Sequence, residues 1–438
     1  MSEQITPTSA QEPVTKTEIA GWCMYDVADS AFTTVMITAF YANFFKDVIV
    51  GDKTQGTFLW GIALSSSEIV VALLAPILGA IADFAGYRKR FLAVCAVLIV
   101  LSTGGLWFAG PGMIVMAMAL FIMATLAFSA GGTFIDSFLP GISDETNAGR
   151  ISGIKWALGY LGGLSCVALS GRFANGIKPN PSAAELASAQ MIPLIVAAWY
   201  AIAVIPAFIF LRERSRPQTL PPGQSYLTVG FRQLKQTFGQ IRHFRDLFRL
   251  LIAFLVYNDG VVTVIGFAAV YAVDTIKFTQ SEITTMFIIL NVVAAVGALS
   301  AGWIADIIGQ KTTIYISLAL WIVAVVLAWQ AGANADKTTF WAAAALVGIG
   351  MGSTQSVTRS LLSLFTPKER AAEFFGFLGI AGRALAFLGP LVFGGLTKMT
   401  GSQRPAILAI GVFFIVGMFL LSFVDEKKGR EAALAAHS

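Results

Sequence analysis

The sequence predicts an all-α polytopic membrane protein, with twelve transmembrane helices in two pseudo-symmetric six-helix bundles. Three observations carry that reading. Of the 438 residues 56% are hydrophobic and 13% charged, with a mean hydropathy of +0.74, whereas a soluble domain carries about 25% charged residues. Apolar segments of about 20 residues, enough to cross a hydrocarbon core, recur along the whole chain. The two halves also repeat each other's motifs. An ordinary soluble enzyme is excluded by this composition. A β-barrel would show alternating segments of about ten residues, and none dominate. The 42 glycines suit close helix contact in lipid.

Residues 1–17 are polar, contain two prolines and lack the basic-then-apolar order of a signal peptide. They are expected to form a disordered cytoplasmic tail. Twelve spans follow, at about 21–45, 57–82, 91–109, 112–136, 151–171, 190–211, 248–272, 283–306, 312–330, 339–360, 371–396 and 405–424. The N-terminal bundle is thus 18–211 and the C-terminal bundle 248–424. Between them lies a cytoplasmic linker, 212–247, and 425–438 is a second cytoplasmic tail. Within the linker, Arg232–Arg249 has apolar residues at roughly helical spacing, among them Phe231, Leu234, Phe238 and Phe244. It reads as a basic amphipathic helix on the membrane surface.

Charge sets the expected orientation. Nineteen Lys and Arg residues fall on the side of the termini and linker, and eight on the other. By the positive-inside rule both termini are cytoplasmic. The net charge of +5 is therefore a matter of topology, and no nucleic-acid partner is implied. Cys23, Cys95 and Cys166 lie within spans at no metal-ligand spacing and read as packing residues. His243 and His437 lie outside the spans, so a histidine relay or metal site is not expected.

The internal repeat is clearest after spans 2 and 8. Gly79-Ala-Ile-Ala-Asp83-Phe-Ala-Gly86-Tyr-Arg88 and Gly302-Trp-Ile-Ala-Asp306-Ile-Ile-Gly309-Gln-Lys311 share one pattern, 223 residues apart. Each Asp is placed to cap the next helix or pair with a base, and each loop glycine to turn tightly at positive φ. Gly159–Gly163 in span 5 is echoed by Ala386–Pro390 in span 11. Spans 1 and 7 match in two registers. One pairs Asp29 and Thr33 with Asp259 and Thr263, an offset of 230; the other pairs Tyr25 and Asp26 with Tyr257 and Asn258, an offset of 232. Duplicated six-span units mark transporter folds.

The doubled loop motif resembles the signature of the major facilitator superfamily. A narrower resemblance, to the vacuole-effluxer (autophagy-related effluxer-like) family, rests on four stretches. These are Gly21-Trp22-x-x-Tyr25-Asp26-x-Ala28-x-Ser30, Gly149-Arg150-Ile-Ser152-Gly153-x-x-Trp156-Ala-Leu-Gly159-Tyr160, Tyr257-Asn258-Asp259-Gly260, and Phe374-Phe375-Gly376 to Gly389-Pro390. Asp29 departs from the family's usual Asn and Arg383 from its usual Lys. The resemblance implies export of small solutes, with amino acids the suggested class, and a monomer.

Candidate site residues follow from the cost of polar groups in a membrane. A carboxylate at the bilayer centre costs roughly 2.5–3.5 kcal/mol or more and belongs in a cavity or bundle interior. Asp26, Asp29 and Thr33 share one helical face. With Glu68 in span 2 and Asp259 in span 7, Asp26 and Asp29 are candidate proton carriers; the alternatives are a solvated helix end for Asp26 and structural hydrogen bonds for the rest. Gly260 is placed to let span 7 break or bend. Arg383 in span 11 needs an anionic partner, either Asp259, Asp29 or a substrate carboxylate. Tyr25, Asp29, Thr33, Trp156, Tyr160, Tyr257, Asn258, Asp259, Thr263, Gln355 and Arg383 form the candidate substrate-binding set. Trp156 and Tyr160 read equally well as packing, and Asp136 and Arg359 as gate or loop partners. Asp83, Gly86, Arg88, Asp306, Gly309 and Lys311 are the expected cytoplasmic gate.

No catalytic constellation, metal cluster or nucleotide loop is present in the sequence, so neither an enzyme nor a cofactor is expected. The expected activity is alternating-access transport of an amino acid or similar zwitterion, proton-coupled and outward. The expected partners are that solute and the lipids of a bacterial inner membrane. Transport of lipids or amphiphilic drugs is the alternative, and a non-transporting receptor or scaffold on the same fold is the alternative of another class.

Overall fold

The computed structural model describes residues 13–214, 217–218, 225–239, 243–384 and 388–435. Every regular element among them is helical. The first half comprises Lys16–Ala31 with its continuation to Val50 (span 1), Lys53–Ala85 (2), Arg88–Gly105 (3), Ile114–Asp136 (4), Ala148–Gly171 (5) and Ala183–Phe210 (6). The second comprises Arg245–Asp274 (7), Gln280–Ile308 (8), Gln310–Asn334 (9), Lys337–Phe365 (10), Ala371–Ala381 with Leu388–Thr400 (11) and Gln403–Ser422 (12). Spans 2, 6 and 10 begin or end a turn or more beyond their apolar stretches, because helices continue to their caps. Asp52 accepts from Gln55 N before span 2, Ser182 and Glu185 form a capping box before span 6, and Asp336 caps span 10.

Seven of these helices are long and apolar enough to cross a bilayer by composition alone, and span 2, bent by 41°, makes an eighth. The four that fall short are spans 1, 5, 10 and 11. They carry Asp26, Asp29, Lys155, Arg359 and Arg383, while Asp136 ends span 4 and Asp259 lies within span 7, both of which are apolar enough to cross.

Four expectations are corrected. Span 1 starts at Lys16, inside the expected tail, because Thr15 caps it and the fully buried Glu18 binds Arg214 and the Arg212 N–H; residues 1–12 lie outside the described residues. The linker helix runs Tyr226–Gly239 and is separate from span 7, which starts at Arg245. It packs on span 2, Gly230 lying against Ile81 and the Ile77 carbonyl. Span 7 is continuous through Gly260, whose missing side chain makes room for Phe413 and Phe414. The irregular helices are instead spans 1 and 11. Span 1 widens to π-helix over Phe32–Ala39 and again over Phe45–Val50, where Thr33, Thr34 and Thr38 donate to carbonyls of the preceding turn. Span 11 ends its first segment at Ala381, turns through Gly382–Ala384 and resumes at Leu388.

The halves meet along spans 5 and 8 and spans 2 and 11. Both crossings are backbone to backbone. Gly149 and Gly153 lie on Gly302 and the Ala298 carbonyl, and Gly79 and Gly376 on the Ala372 carbonyl and Pro76. A side chain at Gly153 would collide with the Ala298 carbonyl.

Candidate functional site

A continuous polar chain crosses the interior from one half to the other. Lys155, on span 5 and only 3% exposed, donates to Asp136 of span 4 and lies 3.6 Å from Asp26 Oδ1 of span 1. Its ammonium also sits 4.8 Å from the Trp22 ring centroid. Asp136 Oδ2 accepts at 2.8 Å from Arg359 Nε, on span 10 of the other half. Arg359 stacks over Trp156, 4.7 Å from its ring centroid, and donates to Gln355 Oε1 at 2.8 Å. Gln355 donates to Asn258 Oδ1 (3.1 Å), and Asn258 donates to the Gly382 carbonyl (3.0 Å) at the break in span 11. Two carboxylates thus balance two bases, as burial of charge requires. Asp26 Oδ2 is buried with no hydrogen-bond partner among the described residues. It points at the backbone of Gly159, where a side chain would collide with it.

The neighbouring carboxylates have other partners. Asp29 Oδ1 accepts from Tyr200 of span 6 at 2.7 Å, and the Tyr200 hydroxyl lies 3.0 Å from that of Tyr25. Asp259 Oδ2 accepts at 2.9 Å from Gly389 N, in the second described segment of span 11, while Oδ1 is buried without a hydrogen-bond partner among the described residues. Arg383 donates to the Gly379 carbonyl at 3.1 Å. Among the described residues neither Asp29 nor Asp259 pairs with Arg383, which corrects that expectation: one carboxylate is turned into its own bundle and the other is spent on a helix end. The side chain of Glu68 lies outside the described residues. Tyr257 is fully buried and shares a hydrogen bond with Thr358 at 2.7 Å. Trp156 and Tyr160 do form a pair, with ring centroids 5.7 Å apart.

The structure also separates the two registers of spans 1 and 7. Tyr25 lies against Gly131 of span 4 and Tyr257 bonds Thr358 of span 10. Gly131 and Thr358 stand at the 227-residue offset that relates spans 5 and 11. Tyr25–Asp26 is therefore the counterpart of Tyr257–Asn258. The Asp-x-x-x-Thr pattern is local, each Thr donating to the carbonyl of the Asp four residues earlier (Thr33 at 3.0 Å, Thr263 at 2.7 Å).

At the helix ends on the side of the two termini the halves cap each other. Asp83 of span 2 accepts from Arg88 Nε (2.5 Å) and from the N–H groups of Ala372 (3.2 Å) and Glu373 (2.9 Å), which begin span 11. Asp306 of span 8 accepts from Gly149 N (2.8 Å) and Arg150 N (2.9 Å), which begin span 5. Each carboxylate thus satisfies the open N–H groups of a helix in the opposite half. Gly86 and Gly309 turn at φ of 64° and 93°. Arg88 also reaches across to the Lys368 carbonyl at 2.5 Å. Lys311 is not the counterpart of Arg88. It donates to the Val424 carbonyl at 2.5 Å, after span 12, as Lys89 donates to the Leu211 carbonyl at 2.6 Å, after span 6. The one-residue difference in the loops conceals this match, and it leaves Asp306 with only the half-exposed Arg150, 3.8 Å away.

Sequence reasoning missed Lys155 and Tyr200. Lys155 carried a signal: once every Lys and Arg of the loops and tails is assigned to a membrane side, Lys155, Arg359 and Arg383 are left over. Tyr200 carried none, since a tyrosine in an apolar span reads as packing.

Comparison with known proteins is consistent along the chain. Residues 53–434 match the family model "Vacuole effluxer Atg22 like". The MFS-type transporter YxiO of Bacillus subtilis (strain 168) is 29% identical over 420 residues, covering 94% of this chain and 96% of that one. Autophagy-related protein 22-1 of Penicillium rubens is 22% identical over 304 residues, 65% of this chain and half the length of that protein. Among solved structures, the major facilitator superfamily transporter FucP in the outward conformation superposes with a TM-score of 0.72 at 14% identity, covering 93% of this chain and 98% of that one.

Proposed function

This chain belongs to the Atg22-like vacuole effluxer family and has the major facilitator fold, and from that premise we propose that it is a proton-coupled secondary transporter exporting an amino acid or similar zwitterion. The observation that carries the proposal is the balanced charge cluster of Asp26, Lys155, Asp136 and Arg359, buried where the two halves face each other. A transporter that rocks one bundle against the other uses charges at that boundary, and a rigid scaffold has no need to bury them. The free oxygens of Asp26 and Asp259 are suited to a proton or to a substrate ammonium. Trp156, Tyr160 and Gln355 border the same cluster, and Arg383, which donates to the Gly379 carbonyl, follows the first segment of span 11. In this reading Asp83 and Asp306 hold the cytoplasmic side shut between cycles. The protein works as a monomer in the lipids of a bacterial inner membrane, both termini in the cytoplasm.

The test is flux of labelled amino acids into liposomes containing the purified protein, with and without an imposed pH gradient. The expected result is saturable flux that the gradient accelerates and that Asp29→Asn and Asp259→Asn reduce. Flux of a lipid or amphiphile alone replaces the substrate class. Gradient-driven flux unchanged in both variants removes those carboxylates from the coupling step, and no saturable flux of any solute favours the scaffold.

A further inference from the structure

We propose that Lys155 is a positioning residue of the transport cycle, a buried cation shared by Asp26 and Asp136 that links the charge of Asp26 to the contact between the halves. The inference rests on the alternating-access reading above.

The argument starts from the partners of each group. Asp136 contacts bases of both halves: Lys155 from its own half and Arg359 from the other. Asp26 competes for Lys155 from 3.6 Å, with its second oxygen free. While Asp26 is charged, Lys155 is drawn towards it, and Asp136 is left to Arg359. Once Asp26 is neutral, that pull ends and Lys155 neutralises Asp136 more fully. Asp136 then holds Arg359 less strongly, because one carboxylate gains less from a second base than from a first. Arg359 is tied to Gln355, Gln355 to Asn258, and Asn258 to the Gly382 carbonyl. Loosening Arg359 therefore reaches the break in span 11, whose first segment Asp83 caps at the cytoplasmic end. Neutral Asp26 favours opening of the cytoplasmic side.

Other groups act on Asp26 electrostatically, and they are few: Lys155 and Tyr160 of span 5, Asp136 of span 4, Arg359 of span 10, and Asp29 and Cys23 on its own helix. Tyr200 of span 6 bonds Asp29. Of these, Lys155 is the one base that touches both Asp26 and Asp136.

The experiment measures the distance between spin labels at Thr146→Cys and Lys368→Cys, exposed cytoplasmic positions on opposite halves, by double electron–electron resonance. The protein is full-length, in lipid nanodiscs, with Cys23, Cys95 and Cys166 replaced by Ala. Protons are the only probe. In the otherwise unaltered protein, acidification is expected to raise the open-to-closed ratio by up to ~10-fold per pH unit, the limit for one linked proton. Asp26→Asn should be open already at neutral pH. Lys155→Met should stay closed, its ratio changing by less than about twofold, and Lys155→Arg should restore the response. The double variant Asp26→Asn/Lys155→Met should behave as Lys155→Met alone. Should Lys155→Met not fold, Asp136→Asn/Lys155→Met, which removes the pair whole, takes its place and should likewise lose the pH response. A Lys155→Met profile equal to that of the unaltered protein overturns the inference and leaves the transport reading standing. A single distance in every variant at every pH overturns alternating access, and the inference with it.

Discussion

Replacing Asp306 with Ala should open the side that carries the termini while leaving the fold nearly as stable as before. The substitution removes the acceptor that span 8 offers to Gly149 N and Arg150 N at the start of span 5. A capping side chain is worth about 0.5–2 kcal/mol, and a negative charge at a helix N-terminus adds about 0.3–1 kcal/mol. The ion pair with Arg150 is 3.8 Å long, and with that arginine half exposed it adds about 0–1 kcal/mol at most. The total is about 1–4 kcal/mol, and all of it exists only while the halves are in contact. The closed-to-open ratio should therefore fall by at least about 5-fold and by up to about 1,000-fold. Asp83→Ala behaves differently, because it also strands Arg88, which is 4% exposed. Breaking a buried pair costs about 3–5 kcal/mol, and that loss falls on the fold as well as on the closed state. The assay combines the distance between the spin labels at Thr146→Cys and Lys368→Cys with thermal unfolding in detergent. An Asp306→Ala protein with an unchanged distance distribution would refute the argument. So would one that unfolds as early as Asp83→Ala.

Three further outcomes follow from single contacts. Gly153→Leu should prevent the close crossing of spans 5 and 8, where any side chain meets the Ala298 carbonyl; the loss of short-distance population between the same two labels reports it. Tyr200→Phe removes the donor to the buried Asp29 Oδ1 and should cost about 1–3 kcal/mol, the usual penalty for stranding a buried polar group, read as a lower melting temperature. Asp425 precedes the C-terminal helix Glu426–Ala435, and the backbone N–H of Lys428, with its ammonium and the N–H of Lys427, holds the Asp425 carboxyl below the usual range. A depressed carboxyl stabilises above its unfolded-state range and loses that contribution as the pH falls through its folded value, so the amide protection factors of that helix, corrected for the intrinsic pH dependence of exchange, should fall in acid for the native chain and stay flat for Asp425→Asn.

Much of the fold was legible because its cause is local. A segment of about 20 apolar residues is helical in a bilayer wherever it stands in the chain, and duplicated loop motifs report duplicated units. The cost of intramembrane charge singled out Asp26, Asp29, Asp259 and Arg383 on the same grounds. What the rule of cost does not specify is the partner. Asp29 and Asp259 look equivalent in sequence, yet one faces Tyr200 and the other a helix end, because partner choice depends on helix rotation and on residues 130 to 171 positions away.

The sequence alone determined that this chain is a twelve-span helical membrane protein made of two related halves, with carboxylates and bases held inside it. Those properties follow from composition, periodicity and solvation cost, which act residue by residue. Only the tertiary structure decided that Lys155 stands between Asp26 and Asp136, that span 11 is broken where span 7 was expected to be, and that Asp83 and Asp306 each close a helix of the opposite half. Each of these depends on which side chains meet when helices cross within a few ångströms, and a rotation of one helix by a single residue position would change every partner.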